Sequence, residues 1–565
     1  MMGTGSILLA GLVTLVACER SPSPAPSPVD PRVLGGVWVQ ELQSAIPPVR
    51  NEQRVAVGGD VRPGRLLADT GPVRLTVTLP DTSPRLAAVL GITGTEPAGC
   101  GGRARFELRV SEPSDPDTGT VTRSLELQAG TLWTPLSVDL TRWSGQSVVL
   151  DLRVQTLDSS CRSQVALGEP RIVAGSTDPE DSPPDIWMVV IDTVRADRTL
   201  GADRSTRTPV LDDLASRGVR FTRCWSTASW TREAVFSLWT GAQPEALARA
   251  DPEYQQALDD DRLLPRDGLV LPDWIPTVPE ALSDAGYRLI GGYTNPSIPP
   301  GTGVDRGFHS WWLLGSDPEL VERLPATVSE TDPRRPRLVY AHLLASHMPY
   351  EFRGELTEHH LALRDLSTEQ PLASLTLEEL PREAEIPAAL QEQARAYYDG
   401  EVEQTDRWIG SLLAALPRTD RPTWTFVLSD HGEELWDHGS AGHGHSVHEE
   451  LLRVPLWVLP PGEREPGRTV ATPASLADLA PTLAELAGLP WPEIPGARSL
   501  VPELTGSPAP DASSGRSLAA SGTLYGPRRR ALLTGEEKLT QDLDSPAEVL
   551  AWRVSATGTE QPMHT

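Results

Sequence analysis

Four stretches of the chain are apolar runs that stop on a polar residue: IWMVVID at 186–192, RLIGGYTN at 288–295, LVYAHLLASH at 338–347 and TFVLSDHG at 425–432. Runs of this length, rich in β-branched and aromatic residues, predict strands buried on both faces, as in a parallel sheet covered by helices. Between them lie segments of helical character. One is well punctuated: Thr208 stands at the capping position, Pro209 at the first helical position, Asp212 and Asp213 in the first turn, and Gly218 at the end. The chain then resumes an extended pattern with VRF. From 185 to about 505 this alternation predicts an α/β domain on a mostly parallel sheet flanked by helices. Residues 352–395, rich in Glu and Leu, predict helices and loops over the site.

Upstream the period changes to two. VRLTVTLP, ARFELRVSE, VTRSLELQAG, LSVDL and SVVLDLRVQTL alternate apolar and polar positions between Gly, Pro, Asp and Ser turns. Residues 33–175 therefore predict a small β-sandwich. WTPLSVDLTRWSGQSVVLDLRV, with ALGEPRIV after it, resembles the tail of jelly-roll, galactose-binding-like modules. That implies either glycan binding or a spacer. A Pro/Ser linker at 19–32 precedes this domain, and a polar linker, GSTDPEDSPP, follows at 175–184. Residues 506–565 extend the α/β domain.

The apolar run at 6–17 has signal-peptide length and is too short to span a bilayer. It ends in Leu15-Val16-Ala17-Cys18, which resembles the lipobox of bacterial lipoproteins and implies a lipid anchor at Cys18. No Lys or Arg precedes the run, unlike that pattern, so plain secretion and an uncleaved anchor stand as alternatives. The expectation is an exported, envelope-located protein tethered to the membrane. Export makes a Cys100–Cys161 disulfide plausible and leaves Cys224 as a semi-buried thiol.

A chain of 565 residues predicts two or three domains. Its net charge of −27 argues against nucleic acid and anionic membrane surfaces as partners. Lys538 is the only lysine, so arginines and histidines must do any anion binding in the α/β domain.

In an open α/β sheet, ligands sit beyond the carboxyl ends of the strands. Asp192, Asn295, His347, Asp430 and His431 occupy such ends. A carboxylate pair with imidazole suits Zn, Mn or a similar divalent ion, whereas Ca prefers more oxygen ligands. The segment STASWTREAVFSLWTG at 226–241 opens a helix at Thr231. Thr231 reads as its N-cap, as a nucleophile activated by a neighbouring ion and the helix N-terminus, or as both.

IDTVRAD, TPVLDDLASRGVRFTRCWSTASWT, SLWTG, SHMPY, LSDHGEE, HGHSVHEELLRVPLWV and DLAPTLAELAGL resemble, in order and spacing, the motifs of the bacterial sulfatase family of the alkaline phosphatase superfamily. The resemblance covers about 185–505. It implies an alkaline-phosphatase-like fold and hydrolysis or transfer of phosphate or sulfate esters. It implies Asp192, Asp430 and His431 as ligands of a divalent metal (Zn, Mn or Ca), and Thr231 as nucleophile. His347 would contact substrate or protonate a leaving group, and His443 or His445 falls near a second basic position of the family. Arg232 would hold the anion, and Asn295 is a substrate-binding candidate. A second metal at His347 and His443 is compatible with this pattern. His438 and His448 read as surface or helix-packing histidines. Arg195 and Asp197 either line the site or pair with each other.

Three departures stand out. Thr231-Arg232-Glu233-Ala234-Val235 replaces the C/S-x-P-x-R motif from which formylglycine is made. Thr193 stands where many sulfatases have a second metal-binding Asp, and the lysines that clamp sulfate are absent. These departures favour phosphoester chemistry over sulfate ester. Substrates would be phosphate or sulfate esters, including those of a glycan or a lipid headgroup. The rival reading is a surface binding protein that has lost catalysis.

Overall fold

The computed structural model describes most of residues 72–563, together with the backbone of strands Arg32–Leu34, Val37–Glu41, Arg54–Val57 and Asp60–Leu67. The longest stretches outside the described residues are 1–31, 42–53, 251–268, 376–385 and 507–515. The leader with Cys18, most of both linkers, and Cys100 and Cys161 also fall outside them.

The central sheet contains β1 (Asp185–Ile191), β2 (Val219–Trp225), β3 (Arg288–Tyr293), β4 (Ser310–Leu313), β5 (Arg337–Leu343), β6 (Thr423–Ser429), β7 (Arg453–Leu459), β8 (Arg468–Val470) and β9 (Ala474–Ser475). Their order is β4-β3-β5-β1-β6-β7-β2-β8, with β9 also on β2. The pairs from β4 to β6 are all parallel. β7 is antiparallel to both its neighbours. All seven residues of β1, β5 and β7 are buried. Their alternate side chains enter two cores. Ile186, Met188 and Val190 join one, while Trp187, Val189 and Ile191 join the other. This two-sided burial is why the runs carry no polar alternation.

The helix that follows the Thr208 signal spans Pro209–Arg217, as its punctuation predicts, but Thr208 does not cap it through its side chain. Asp406 instead accepts from Val210 N (3.0 Å) and Leu211 N (2.9 Å). Asp406 lies on the long helix Ala388–Ala415, so a distant residue supplies the cap. Gly218 is needed for space, since a Cβ there would lie 2.5 Å from Val458 O in β7.

N-terminal to this unit, the described strands between Arg32 and Ala174 form a seven-stranded and a four-stranded antiparallel sheet around one apolar core. C-terminal to it, strands from Ser517 to Pro562 form a five-stranded antiparallel sheet. This sheet packs Leu518, Ala520, Ala531, Leu533 and Val554 on Trp225, Val447 and Leu452.

Candidate functional site

The carboxyl edge of the central sheet gathers the predicted strand-end residues. Asp192 follows β1 directly and is fixed by its main chain: its N–H donates to Leu343 O (2.9 Å), and Ser346 Oγ donates to its carbonyl (2.6 Å). Thr193 adopts a left-handed conformation (φ 58°) and donates its hydroxyl to Ser346 O (2.7 Å). That bond makes it a brace of the loop. Asp430 and His431 follow β6. Gly432 comes next, where a Cβ would lie 1.9 Å from Glu450 O, so only glycine lets the two backbones meet.

Thr231 is the first residue of a helix, Thr231–Thr240, that is buried along its whole length. The N-cap position belongs to Trp230, so the expectation of Thr231 as the cap is corrected. Its hydroxyl turns to the sheet edge, 3.2 Å from His431 Nε2, and accepts from Asn295 Nδ2 at 3.0 Å. Asn295 also donates to Asp192 Oδ2. Candidate ligand atoms of Asp192, Asp430 and His431 all lie within 4.8 Å of one another.

Burial and charge make this cluster a candidate cation site. Burial, and then the Asp192 carboxylate, push the Asp430 carboxyl well above its usual range. Burial also disfavours the Asp192 anion, but the His342 hydrogen bond and the His347 and His431 imidazoles bring its carboxyl below the usual range. Burial, with His443 beside it, lowers His431 to about 3, so its ring is a neutral, ligand-ready imidazole at ordinary pH. Asp192 Oδ1, Asp430 Oδ2 and His342 Nε2 are buried without a hydrogen-bond partner. Buried carboxylate oxygens so close together are costly unless a cation joins them. Two carboxylates, an imidazole and a threonine hydroxyl fit a divalent metal ion.

His347 and His443 stand beside this cluster. The His443 ring is 4.6 Å from that of His431 and 4.7 Å from that of His347. Glu433 Oε1 lies 3.1 Å from His443 Nδ1 and orients the ring.

Two expectations fail. Arg232 is 2% exposed and donates to the carbonyls of Ser297 (2.6 Å) and Leu269 (3.1 Å). It braces the loops around the helix and does not serve as the expected anion clamp. His445 pairs with Glu434 Oε2 (2.8 Å), and its carbonyl accepts from Arg529, so it is tied into the neighbouring loop instead of joining the cluster. Arg195 pairs with Asp197 and Asp437.

One site residue was not anticipated. His342 lies within β5, with Nε2 3.4 Å from Asp192 Oδ2 and 3.7 Å from Asp430 Oδ2. Tyr340 OH is 2.8 Å from its Nδ1. The available signal was a histidine two residues from a tyrosine inside an otherwise apolar buried strand, which puts both side chains on one face.

Comparison with known proteins adds the following. The sulfatase family model matches residues 184–489. Mouse steryl-sulfatase is 40% identical over 126 residues, 19% of this chain and 20% of that protein. The chain thus spans about a fifth of the length of the first curated relatives it matches. The Delta 4,5-hexuronate-2-O-sulfatase of Bacteroides thetaiotaomicron is 25% identical over 358 residues, 55% of this chain and 69% of that protein. Among solved structures, a protein in complex with its substrate D-glucosamine-2-N,6-O-disulfate superposes with a TM-score of 0.50 at 18% identity, covering 66% of this chain and 91% of that one. This last likeness shows the fold.

Proposed function

The chain belongs to the sulfatase family, and from that premise we propose that it is a metal-dependent hydrolase, or transferase, of phosphate or sulfate esters with Thr231 as its nucleophile. The observation that carries this reading is the place of the Thr231 hydroxyl. It sits at the start of a buried helix, 3.2 Å from His431 Nε2, beside two carboxylates that lack a counter-charge.

Asp192, Asp430, His431 and Thr231 would hold the divalent ion. When bound, the ion lowers the hydroxyl's pKa and offsets charge on the ester oxygens. Asn295 orients Thr231 through its 3.0 Å hydrogen bond. Thr231 Oγ, its proton given up to solvent, attacks phosphorus or sulfur in line as the bond to the ester oxygen breaks. Free N–H groups in the first turn of the helix favour the anion there. His443, oriented by Glu433, or His347 donates a proton to the leaving oxygen. Water or an acceptor alcohol then releases the group from Thr231.

Phosphoesters are favoured over sulfate esters because the segment beginning at Thr231 holds no residue convertible to formylglycine. Substrates on a glycan or lipid headgroup fit an envelope enzyme anchored through Cys18. A binding protein without catalysis has no physical reason to keep Thr231, Asn295, Asp192, Asp430 and His431 in mutual contact. The test is turnover of aryl phosphate monoesters, diesters and sulfates by the full chain with Zn, Mn or Ca, with Thr231→Ala beside it. Phosphoester turnover lost in the variant is the expected result. Turnover of sulfate alone would overturn the preference for phosphoesters. No turnover together with no bound metal would overturn the reading itself.

A further inference from the structure

The proposed reaction leaves one buried polar group beside the cluster without a task. His342 is fully buried, and its Nε2 has no hydrogen-bond partner. Strand register puts it there. His342 stands opposite Val190 in β1, and Val190 stands opposite Leu428 in β6. Asp192 and Asp430 follow Val190 and Leu428 by two positions, so all three side chains leave one face of the sheet, with His342 one rung inside the aspartates. Its Nε2 lies 3.4 Å from Asp192 Oδ2 and 3.7 Å from Asp430 Oδ2, just beyond an ordinary hydrogen bond. Hydrogen bonds of a catalytic site are often long before its complex forms.

Tyr340 decides which ring nitrogen carries the hydrogen. Its hydroxyl lies 2.8 Å from His342 Nδ1. The phenol packs among Trp239, Phe308 and Trp311, with ring centroids 5.3, 6.0 and 5.3 Å away. Burial, and then the Asp430 and Asp192 carboxylates, keep its hydroxyl protonated far above the usual range. With the phenol donating to Nδ1, a neutral His342 carries its hydrogen on Nε2 and aims it at the aspartates. The other tautomer turns an Nε2 lone pair on two carboxylate oxygens. It also leaves the phenol hydrogen with no acceptor among the described residues, which burial makes costly.

The two oxygens of Asp192 are treated differently. Oδ2 accepts from Asn295 and faces His342, whereas Oδ1 has no partner and lies 3.5 Å from His431 Nε2. Carboxylates that ligate a metal are held by such donors on their far side. We propose that His342 is a positioning residue of the metal centre: its Nε2–H, fixed by Tyr340, holds Asp192 Oδ2 so that Oδ1 is turned to the ion. This role rests on the metal-dependent reading given above. It makes His342 a donor and not a ligand, since a ligating Nε2 needs the lone pair that this tautomer lacks.

Chelator competition for zinc, and visible absorption of the cobalt(II)-loaded full chain, test this in His342→Leu, His342→Gln and Tyr340→Phe. His342→Leu removes the donor and should weaken metal binding about tenfold or more. His342→Gln, whose amide N–H reaches the same place, should recover most of that affinity, with the cobalt band where wild type has it. Tyr340→Phe loses a single oxygen and covers the case in which His342→Leu does not fold. It should weaken binding by a smaller factor and lower kcat more than it changes KM. Wild-type affinity in both His342→Leu and Tyr340→Phe would overturn the role. A loss that His342→Gln does not recover would reduce His342 to packing, and a displaced cobalt band in His342→Gln would make the imidazole a ligand; either overturns the proposal. Failure of the metal-dependent reading shows separately, as no metal bound by wild type, and takes this role with it. Metal bound equally by wild type and all three variants overturns this role alone.

Discussion

The two edges of the central sheet carry the same residue type under the same burial and treat it in opposite ways. At the amino edge, Asp185 is fully buried and fully paired. It accepts from Arg337 N (2.9 Å), Arg337 Nη2 (2.7 Å) and Nε (3.2 Å), and from Thr419 Oγ1 (3.2 Å). At the carboxyl edge, Asp192 and Asp430 are equally buried, yet each leaves an oxygen without a partner and the two face each other. A buried carboxylate with an arginine fork is a structural solution. Two without one suit the divalent cation proposed here. The fold keeps its uncompensated charge at one edge, where a parallel sheet presents its ligands.

The largest contrast between the edges should appear in activity. Thr231→Ala should lower kcat on the order of 10^4-fold or more while leaving the melting temperature near that of wild type, as steady-state kinetics and calorimetry would show. Retained turnover would remove the carboxyl edge's special status. Next, Arg337→Ala should cost about 3–5 kcal/mol in denaturant unfolding, because it leaves the Asp185 carboxylate buried without its guanidinium counter-charge, and metal affinity in the folded protein should not change.

The metal-free protein sharpens the comparison. The Asp430 carboxyl is raised in the fold, so its contribution is present at low pH and lost as pH rises through that raised value. Asp430→Asn should therefore be more stable than wild type without metal, by a margin that grows as pH rises. Its metal affinity should fall by at least ~100-fold, measured by competition with a chelator. A margin that shrinks with pH would mean that Asp430 is paired. The smallest effect lies away from both edges. Asp406→Ala should cost about 1 kcal/mol by removing the cap of Pro209–Arg217.

Much of this contrast was legible in the sequence, because an apolar run ending on Asp or Asp-His places a polar residue at a strand end without any tertiary knowledge. The direction of β7 was not legible. A strand buried on both faces looks the same whether it runs parallel or antiparallel. The cap of Pro209–Arg217 was misread because Asp406 is nearly two hundred residues away and satisfies the same N–H groups as a local Thr208 would. Arg232 was misplaced because adjacency to Thr231 says nothing about direction. On a helix buried all round, its guanidinium found main-chain carbonyls instead of the site. His342 was passed over because it sits inside a strand, and only the order β5-β1-β6, which sets the ends of β1 and β6 beside β5, turns it into a neighbour of two aspartates.

The central claim is that the Thr231 hydroxyl does the covalent chemistry. The most direct measurement is mass spectrometry of the full chain quenched during turnover of an aryl phosphate, followed by peptide mapping. A single phosphoryl group on Thr231, absent from Thr231→Ala, is the predicted result. Turnover with no modified residue, or with the group on another side chain, would contradict it.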